Sequence, residues 1–306
     1  MRLGVSIAES GQPNDIRSAI QRVIQAEKDG FEAVTFNSGA VGEPLTVIAV
    51  AGRETSHIQL MTTIVVTYTR HPFLLAQQAL TTNAAIDGRL TLGIGPSHAV
   101  AMQRLGFDWK GAASHTREYV TILKGLIDNQ KVQFSGRFYN VDTALQMAWA
   151  PPCPVVIAAL APKMLQTAGE LADGTVTWMA GLKTLQTHIQ PRITQAAAAA
   201  GRPAPRICIG LPVAVCDDVA QAREQAAKTY QNYGNLPVYR RVLDVEGVNP
   251  EDVVIAGNED EVTAKLRDFA SAGATDFAAT PFAVGDNIAA SVQRTRELLK
   301  SLVGKL

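Results

Sequence analysis

The side chains of this chain that could do chemistry recur in one kind of place, just after a short apolar run. His98 closes the stretch Asp87-Gly88-Arg89-Leu90-Thr91-Leu92-Gly93-Ile94-Gly95-Pro96-Ser97-His98. Asp87-Gly88 is a turn signal, and residues 90–94 have the length of a buried strand. Gly93 and Gly95 remove side chains where something must approach the backbone closely. An imidazole at that point titrates near neutral pH and could hold or move a proton; an ordinary loop histidine bonded to backbone is the alternative. Glu9 follows the first apolar run in the same way, as a general acid or base or as a surface carboxylate. Asn37-Ser38 offers short polar side chains to the edge of a ligand ring, or plain turn chemistry. Thr62 and Thr63 could turn hydroxyls toward a ligand, or serve as β-branched strand formers. Ala159, Leu160 and Ala161 precede Pro162. Small residues at a helix start leave backbone N–H groups open to phosphate. Trp178-Met179 could lay an indole on an aromatic cofactor or fill a rim as core. His71 precedes proline and could simply close its loop, while Arg70 could meet an anion.

These residues need a frame that brings strand ends together. Strand-like segments lie at 2–7, 33–36, 59–64, 90–94, 155–158, 175–178, 206–215 and 276–279, and helix-like segments alternate with them. Residues 15–29 repeat apolar side chains near a 3.6 period. Pro72 and Pro162 suit first helical turns. Asn14 or Asp15 could cap the first helix, and Asp217 the helix after the seventh strand. Alternation of this kind predicts a (β/α)8 barrel over residues 1–306 as one domain, whose ligands bind at the C-terminal ends of the strands. A doubly wound sheet is the second choice. Two stretches break the alternation and read as insertions, about 131–154, with a small hairpin around Ser135-Gly136, and about 233–257.

Composition narrows the class. Of 306 residues 47% are apolar and 18% charged, with 28 basic and 28 acidic side chains. Such a balance points away from nucleic acid and membrane surfaces and toward a small-molecule substrate. Three cysteines, Cys153, Cys208 and Cys216, sit in or beside apolar runs and read as reduced thiols of a cytoplasmic protein. The start of the chain reads as a first strand rather than a signal peptide. No His/Cys/Glu cluster has metal-ligand spacing. Gly93-Ile94-Gly95 lacks the third glycine of a dinucleotide fingerprint, and neither a P-loop nor a G-x-S-x-G elbow occurs.

Taken as an ordered set, these motifs resemble the luciferase-like flavin and deazaflavin oxidoreductases, specifically the coenzyme F420-dependent branch common in actinobacteria. The resemblance runs along the chain through Gly30-Phe31-Glu32-Ala33-Val34, His71-Pro72-Phe73-Leu74-Leu75-Ala76-Gln77-Gln78-Ala79, the 88–98 stretch, 154–160, 165–174 and Gly273-Ala274-Thr275-Asp276. It implies a barrel with a deazaflavin (F420) or flavin (FMN) ring across its mouth, hydride transfer to a small organic substrate, and a homodimer. It places the cofactor phosphate at Ala159, Leu160 and Ala161, and a non-proline cis peptide at Thr63-Ile64 behind the ring. His98 would stand where some relatives keep a proton-handling glutamate, and Glu9 would match another rim carboxylate. The ring's contacts would come from Asn37, Ser38, Thr62, Thr63, Ile64, Gly95, Ser97, His98, Trp178 and Met179. Two departures matter. Asn37, Ser38 and Gly39 stand where dehydrogenases of this branch often show Asp-His, and Gly181 stands where a sugar-phosphate enzyme keeps a lysine. Both argue against sugar-phosphate or alcohol oxidation and leave reduction of an activated C=C or C=N bond. An FMN-dependent monooxygenase and a non-catalytic F420-binding barrel are the alternatives.

Overall fold

In the computed structural model, residues 1–13, 15–39 and 42–306 are described. The strands are β1 (Arg2–Ser6), β2 (Ala33–Phe36), β3 (Gln59–Thr62), β4 (Val65–Val66), β5 (Leu90–Gly95), β6 (Lys131–Ser135), β7 (Asn140–Ala144), β8 (Val155–Ala158), β9 (Gly174–Trp178), β10 (Arg206–Val215), β11 (Ile255–Gly257) and β12 (Asp276–Pro281). A parallel barrel closes in the order β1, β2, β3 continued by β4, β5, β8, β9, β10, β12 and back to β1. The expected (β/α)8 barrel is therefore the fold, and the doubly wound sheet is not. β6 and β7 form a separate antiparallel hairpin in the first expected insertion.

The helices are α1 (Ile16–Lys28), α2 (Pro44–Arg53), α3 (Pro72–Ala85), α4 (Ala99–Arg104), α5 (Ala112–Asn129), α6 (Pro162–Leu171), α7 (Leu182–Thr184), α8 (Gln190–Ala199), α9 (Val219–Gly234), α10 (Pro237–Glu246), α11 (Glu259–Ser271) and α12 (Ile288–Leu302). Pro72 and Pro162 occupy first turns, and Asp15 caps α1 by accepting the Ser18 N–H. Asn14 lies outside the described residues. The helix after the seventh strand is capped by Asp218 rather than Asp217, because Asp218 has the reach to the Gln221 N–H; Asp217 pairs instead with Arg294. The second insertion holds α10 and β11, neither legible as an element beforehand.

Strand alternation sorts the wall into two faces. Leu3, Val5, Leu60, Leu92, Ile94 and Ile209 point outward and pack with the helices in one large core. Met61, Val156, Val176 and Cys208 form a separate inner cluster. At the N-terminal end the barrel is floored by charge. The Asp276 carboxylate lies 2.8 Å from Arg206 Nη2 and 2.9 Å from Arg2 Nε, and Arg206 Nη1 also donates to Thr91 Oγ1 at 2.8 Å. Burial alone would push the Asp276 carboxyl up, but the hydrogen bond and charge of Arg206 hold it below the usual carboxylate range. A ligand therefore meets the barrel from the other end. The three cysteines are buried and unbridged. No helix among the described residues is long and apolar enough to cross a membrane.

Candidate active site

The third barrel strand does not run straight. β3 pairs with β5 through Leu60 with Leu90 and Met61 with Thr91, and pairing resumes only when β4 sets Val65 against Ile94. The Thr63–Ile64 peptide bond between them is cis, at the position the family resemblance implies. In the gap the Thr62 hydroxyl accepts the Gly93 N–H at 2.8 Å and donates to the Gly93 carbonyl at 2.7 Å. Thr62 is fully buried. Its expected role as a cofactor contact is corrected, since its only donor is spent on the neighbouring strand and the side chain is fully buried against it. The glycines find their reason in the same gap. A Cβ on Gly93 would collide with the Thr62 carbonyl oxygen, and one on Gly95 would lie 2.9 Å from the Ala158 Cβ and 3.2 Å from Ile64 Cδ1. The irregular third strand, not only a ligand, requires them.

Two residues above the inner cluster, alternation places Gly95, Ala158, Trp178, Gly210 and Thr280 on the inward face, where they line the mouth. A Cβ on Gly210 would lie 3.2 Å from the Trp178 ring. The Ser38 hydroxyl donates to the Ile64 carbonyl, and the Thr63 N–H donates to the Phe36 carbonyl at 2.7 Å, so the loops after strands two and three are tied together. Asn37 Oδ1 and Trp178 Nε1 are buried with no hydrogen-bond partner among the described residues. Such groups cost about 1–3 kcal/mol each unless something pairs with them. Ser97 and Met179 adopt left-handed backbone at φ 58° and 54°, a conformation that side-chain-bearing residues rarely take and that gathers at functional sites. The Met179 and Ala159 side chains point into the helix–barrel core, so neither lines the mouth through its side chain. Leu160 and Ala161 lead into α6, and their N–H groups make no backbone hydrogen bond. The Leu160 carbonyl is held by His188 Nε2 at 2.7 Å.

His98 heads α4 without capping it, and burial pushes its imidazole below the ordinary histidine value, so it is neutral at pH 7. Its ring lies 5.6 Å from that of Tyr239. Tyr239 in turn meets Tyr233 at 4.8 Å, and Tyr233 meets Trp178 at 6.3 Å. The second insertion thus closes an aromatic chain over the mouth from the sixth strand to the loop after the fourth. Sequence reading missed Tyr230, Tyr233 and Tyr239, although three of the six tyrosines fall within residues 230–239.

Glu9 is not in that company. Its carboxylate pairs with Arg296, which also holds Asp29 at 3.1 Å and lies over the Phe31 ring at 5.5 Å; the Glu9 side chain is only 3% exposed. Burial pushes its carboxyl up, against the opposing pull of Arg296. The expected catalytic role of Glu9 is corrected to an ion pair between the loop after β1 and α12, because a guanidinium on the last helix captures the side chain. Arg70 pairs with Glu43 at 3.0 Å, and His71 caps α3. After the sixth strand, Glu246 accepts the N–H groups of Lys183 and Thr184 at 3.1 and 2.7 Å, and a Cβ on Gly181 would run into that carboxylate. The helix start nearest the mouth there already carries its own anion.

The other three tyrosines gather around His115. Its ring stacks on Tyr68 at 4.0 Å, and its Nε2 is hydrogen-bonded to the Tyr139 hydroxyl at 2.9 Å. Burial pushes this imidazole down to about 4, with Glu118 opposing. In the unfolded chain it returns to its ordinary value of about 6.5. The unfolded state then binds the extra proton between those two values. The stabilisation is full above pH 6.5 and is lost as pH falls toward 4, about 3 kcal/mol in all. Melting temperatures taken from pH 7.5 to pH 4 should fall more steeply for the wild type than for His115→Gln; parallel curves would refute the assignment.

The family profile described as luciferase-like monooxygenase matches residues 1–276. An uncharacterized protein of Mycobacterium tuberculosis is 28% identical over 251 residues, covering 77% of this chain and 74% of its own. A 5,10-methylenetetrahydromethanopterin reductase of Methanopyrus kandleri is 24% identical over 339 positions and 94% of each chain. The solved structure of a coenzyme F420 dependent tetrahydromethanopterin reductase from that organism superposes with a TM-score of 0.75 at 21% identity, over 99% of this chain and 98% of the other. The oxygenating constituent of 3,6-diketocamphane monooxygenase from Pseudomonas putida, in complex with FMN, superposes at 0.74 with 18% identity over 99% and 97%.

Proposed function

The chain belongs to the luciferase-like monooxygenase family, and on that premise we propose that it is an oxidoreductase moving a hydride between coenzyme F420 and a small organic substrate with an activated C=C or C=N bond. The observation that carries this reading is the inward layer at the mouth. Its floor is built of Gly95, Ala158 and Gly210, and a buried acceptor, Asn37 Oδ1, and a buried donor, Trp178 Nε1, stand without partners among the described residues. A flat heterocycle with N–H and carbonyl edges is the kind of group that satisfies both. The M. kandleri relatives, one of them described as coenzyme F420 dependent, support the deazaflavin over the flavin. Bound F420 supplies the hydride chemistry, which no side chain of this protein can perform.

The protein's own residues do the rest. Leu160 and Ala161 would hold a phosphate at the head of α6. The wall from Trp178 to Tyr239 excludes water above the mouth. His98 gives one proton to the substrate atom that does not receive the hydride, so that reduction adds one hydride and one proton. In the reverse direction it removes that proton. Glu246 at the start of α7 works against an anionic substrate group at that position, consistent with a substrate other than a sugar phosphate.

Titrating the purified apoprotein separately with F420 and FMN, and following fluorescence, tests the cofactor. Saturable micromolar binding of F420 is expected. Micromolar FMN binding with no F420 binding would overturn the proposal in favour of a flavin monooxygenase. Bound F420 that supports no turnover with any enone or imine would make the protein a cofactor binder.

A further inference from the structure

Resting on the reading above and deepening it, we infer that the aromatic chain over the mouth is the substrate's half of the site, and that it selects an uncharged, planar, conjugated carbonyl compound. Trp178 meets Tyr233 at 61°, Tyr233 meets Tyr239 at 79°, and Tyr239 meets His98 at 53°. Rings set edge to face leave part of each face uncovered by its neighbour, and an offset or edge-on aromatic guest gains from such faces. Tyr230 backs this row, 6.2 Å from Trp178 and 5.6 Å from Phe282, fixing the wall in place. Trp178, Tyr230 and Tyr233 are only partly buried, so the row can be reached.

The polarity of the wall narrows the guest further. The row carries the phenol hydroxyls of Tyr233 and Tyr239, donors that suit an acceptor such as a carbonyl oxygen. Burial pushes the Tyr230, Tyr233 and Tyr239 phenols up, so they remain donors at neutral pH, and it keeps His98 uncharged. Three of the four charged side chains of α10, Arg240, Asp244 and Glu246, are spent elsewhere, and the fourth, Arg241, is exposed. Arg240 lies 2.7 Å from Asp244 and also donates to the Val248 carbonyl, and Glu246 is engaged by the start of α7. A net charge on the guest would have to be desolvated against this wall with nothing to pair it.

The test uses the whole chain and three probes: 1,4-naphthoquinone, its 2-sulfonate, and the acyclic enone hex-3-en-2-one. Tryptophan fluorescence is titrated with each, and F420 binding is measured in parallel. Naphthoquinone is expected to quench saturably, with the sulfonate and the acyclic enone at least tenfold weaker. Tyr233→Leu should weaken naphthoquinone binding by about 3- to 10-fold, the worth of one aromatic pair, and leave F420 binding within twofold. Equal binding of the sulfonate or the acyclic enone overturns the inference, as does unchanged naphthoquinone affinity in a Tyr233→Leu protein with native melting. Should that variant not fold, unchanged naphthoquinone affinity in a Tyr239→Leu protein with native melting overturns it instead. Failure of F420 to bind the wild type would refute the proposed function while leaving the naphthoquinone result to be read on its own.

Discussion

His98→Ala is expected to lower turnover by about 10²- to 10⁴-fold, the usual worth of a positioned general acid or base, while F420 still binds. Of the two titratable side chains expected at the site, His98 is the one we propose for the mouth, because Glu9 is captured by Arg296 while the His98 ring lies beside Tyr239. The pH profile separates proton transfer from mere contact. Burial lowers the His98 pKa, so the inflection should fall below pH 6.5. In the reducing direction the protonated form is the donor, and the rate declines as pH rises through that inflection. In the oxidising direction the neutral form is the acceptor, and the rate rises. His98→Gln keeps hydrogen bonding without titration and should flatten the profile. Full turnover in His98→Ala, or an unshifted inflection in His98→Gln, would remove this residue from the chemistry.

Gly93→Ala is expected to cost at least about 3 kcal/mol and to lower the melting temperature by about 6 °C or more. An added methyl meets the Thr62 carbonyl, which is backbone and cannot step aside, and it dislodges the hydroxyl that bridges both polar groups of Gly93. Gly95→Ala provides the contrast. Its methyl meets only the Ala158 and Ile64 side chains, at 2.9 and 3.2 Å, and enters the mouth. That variant should lose stability as well, though less than Gly93→Ala, because the Ala158 Cβ can yield only by a shift of its own strand, and it should also lose cofactor affinity. A Gly93→Ala protein that melts within 2 °C of the wild type would show that the third strand is held some other way.

Much of the frame was legible in the residues. Strands 33–36, 155–158 and 206–215 fall within their expected bounds, because strands covered on both faces are apolar throughout. The hairpin near Ser135-Gly136 and the helix starts at Pro72 and Pro162 follow from turn and proline chemistry, which acts over a few residues. The loops after strands two and three were readable from their short polar residues, and they are tied together through Ser38 and Ile64. The Asp217 cap failed by one residue, within the ordinary uncertainty of a helix boundary.

The sequence alone determined the strand-and-helix alternation, the loops that reach the mouth, and His98 as a candidate, because these rest on periodicity and local turn chemistry. Only the tertiary structure decided which side chains use those positions. Glu9 finds Arg296, 287 positions away, in place of the mouth. Thr62 spends its hydroxyl on Gly93, 31 positions away. Tyr233 and Tyr239 reach Trp178 and His98 only because the insertion folds back over the barrel. The physical reason is the same in each case. A polar or aromatic side chain settles on the partner that best compensates its burial, and that partner is set by the closure of the barrel rather than by neighbours along the chain.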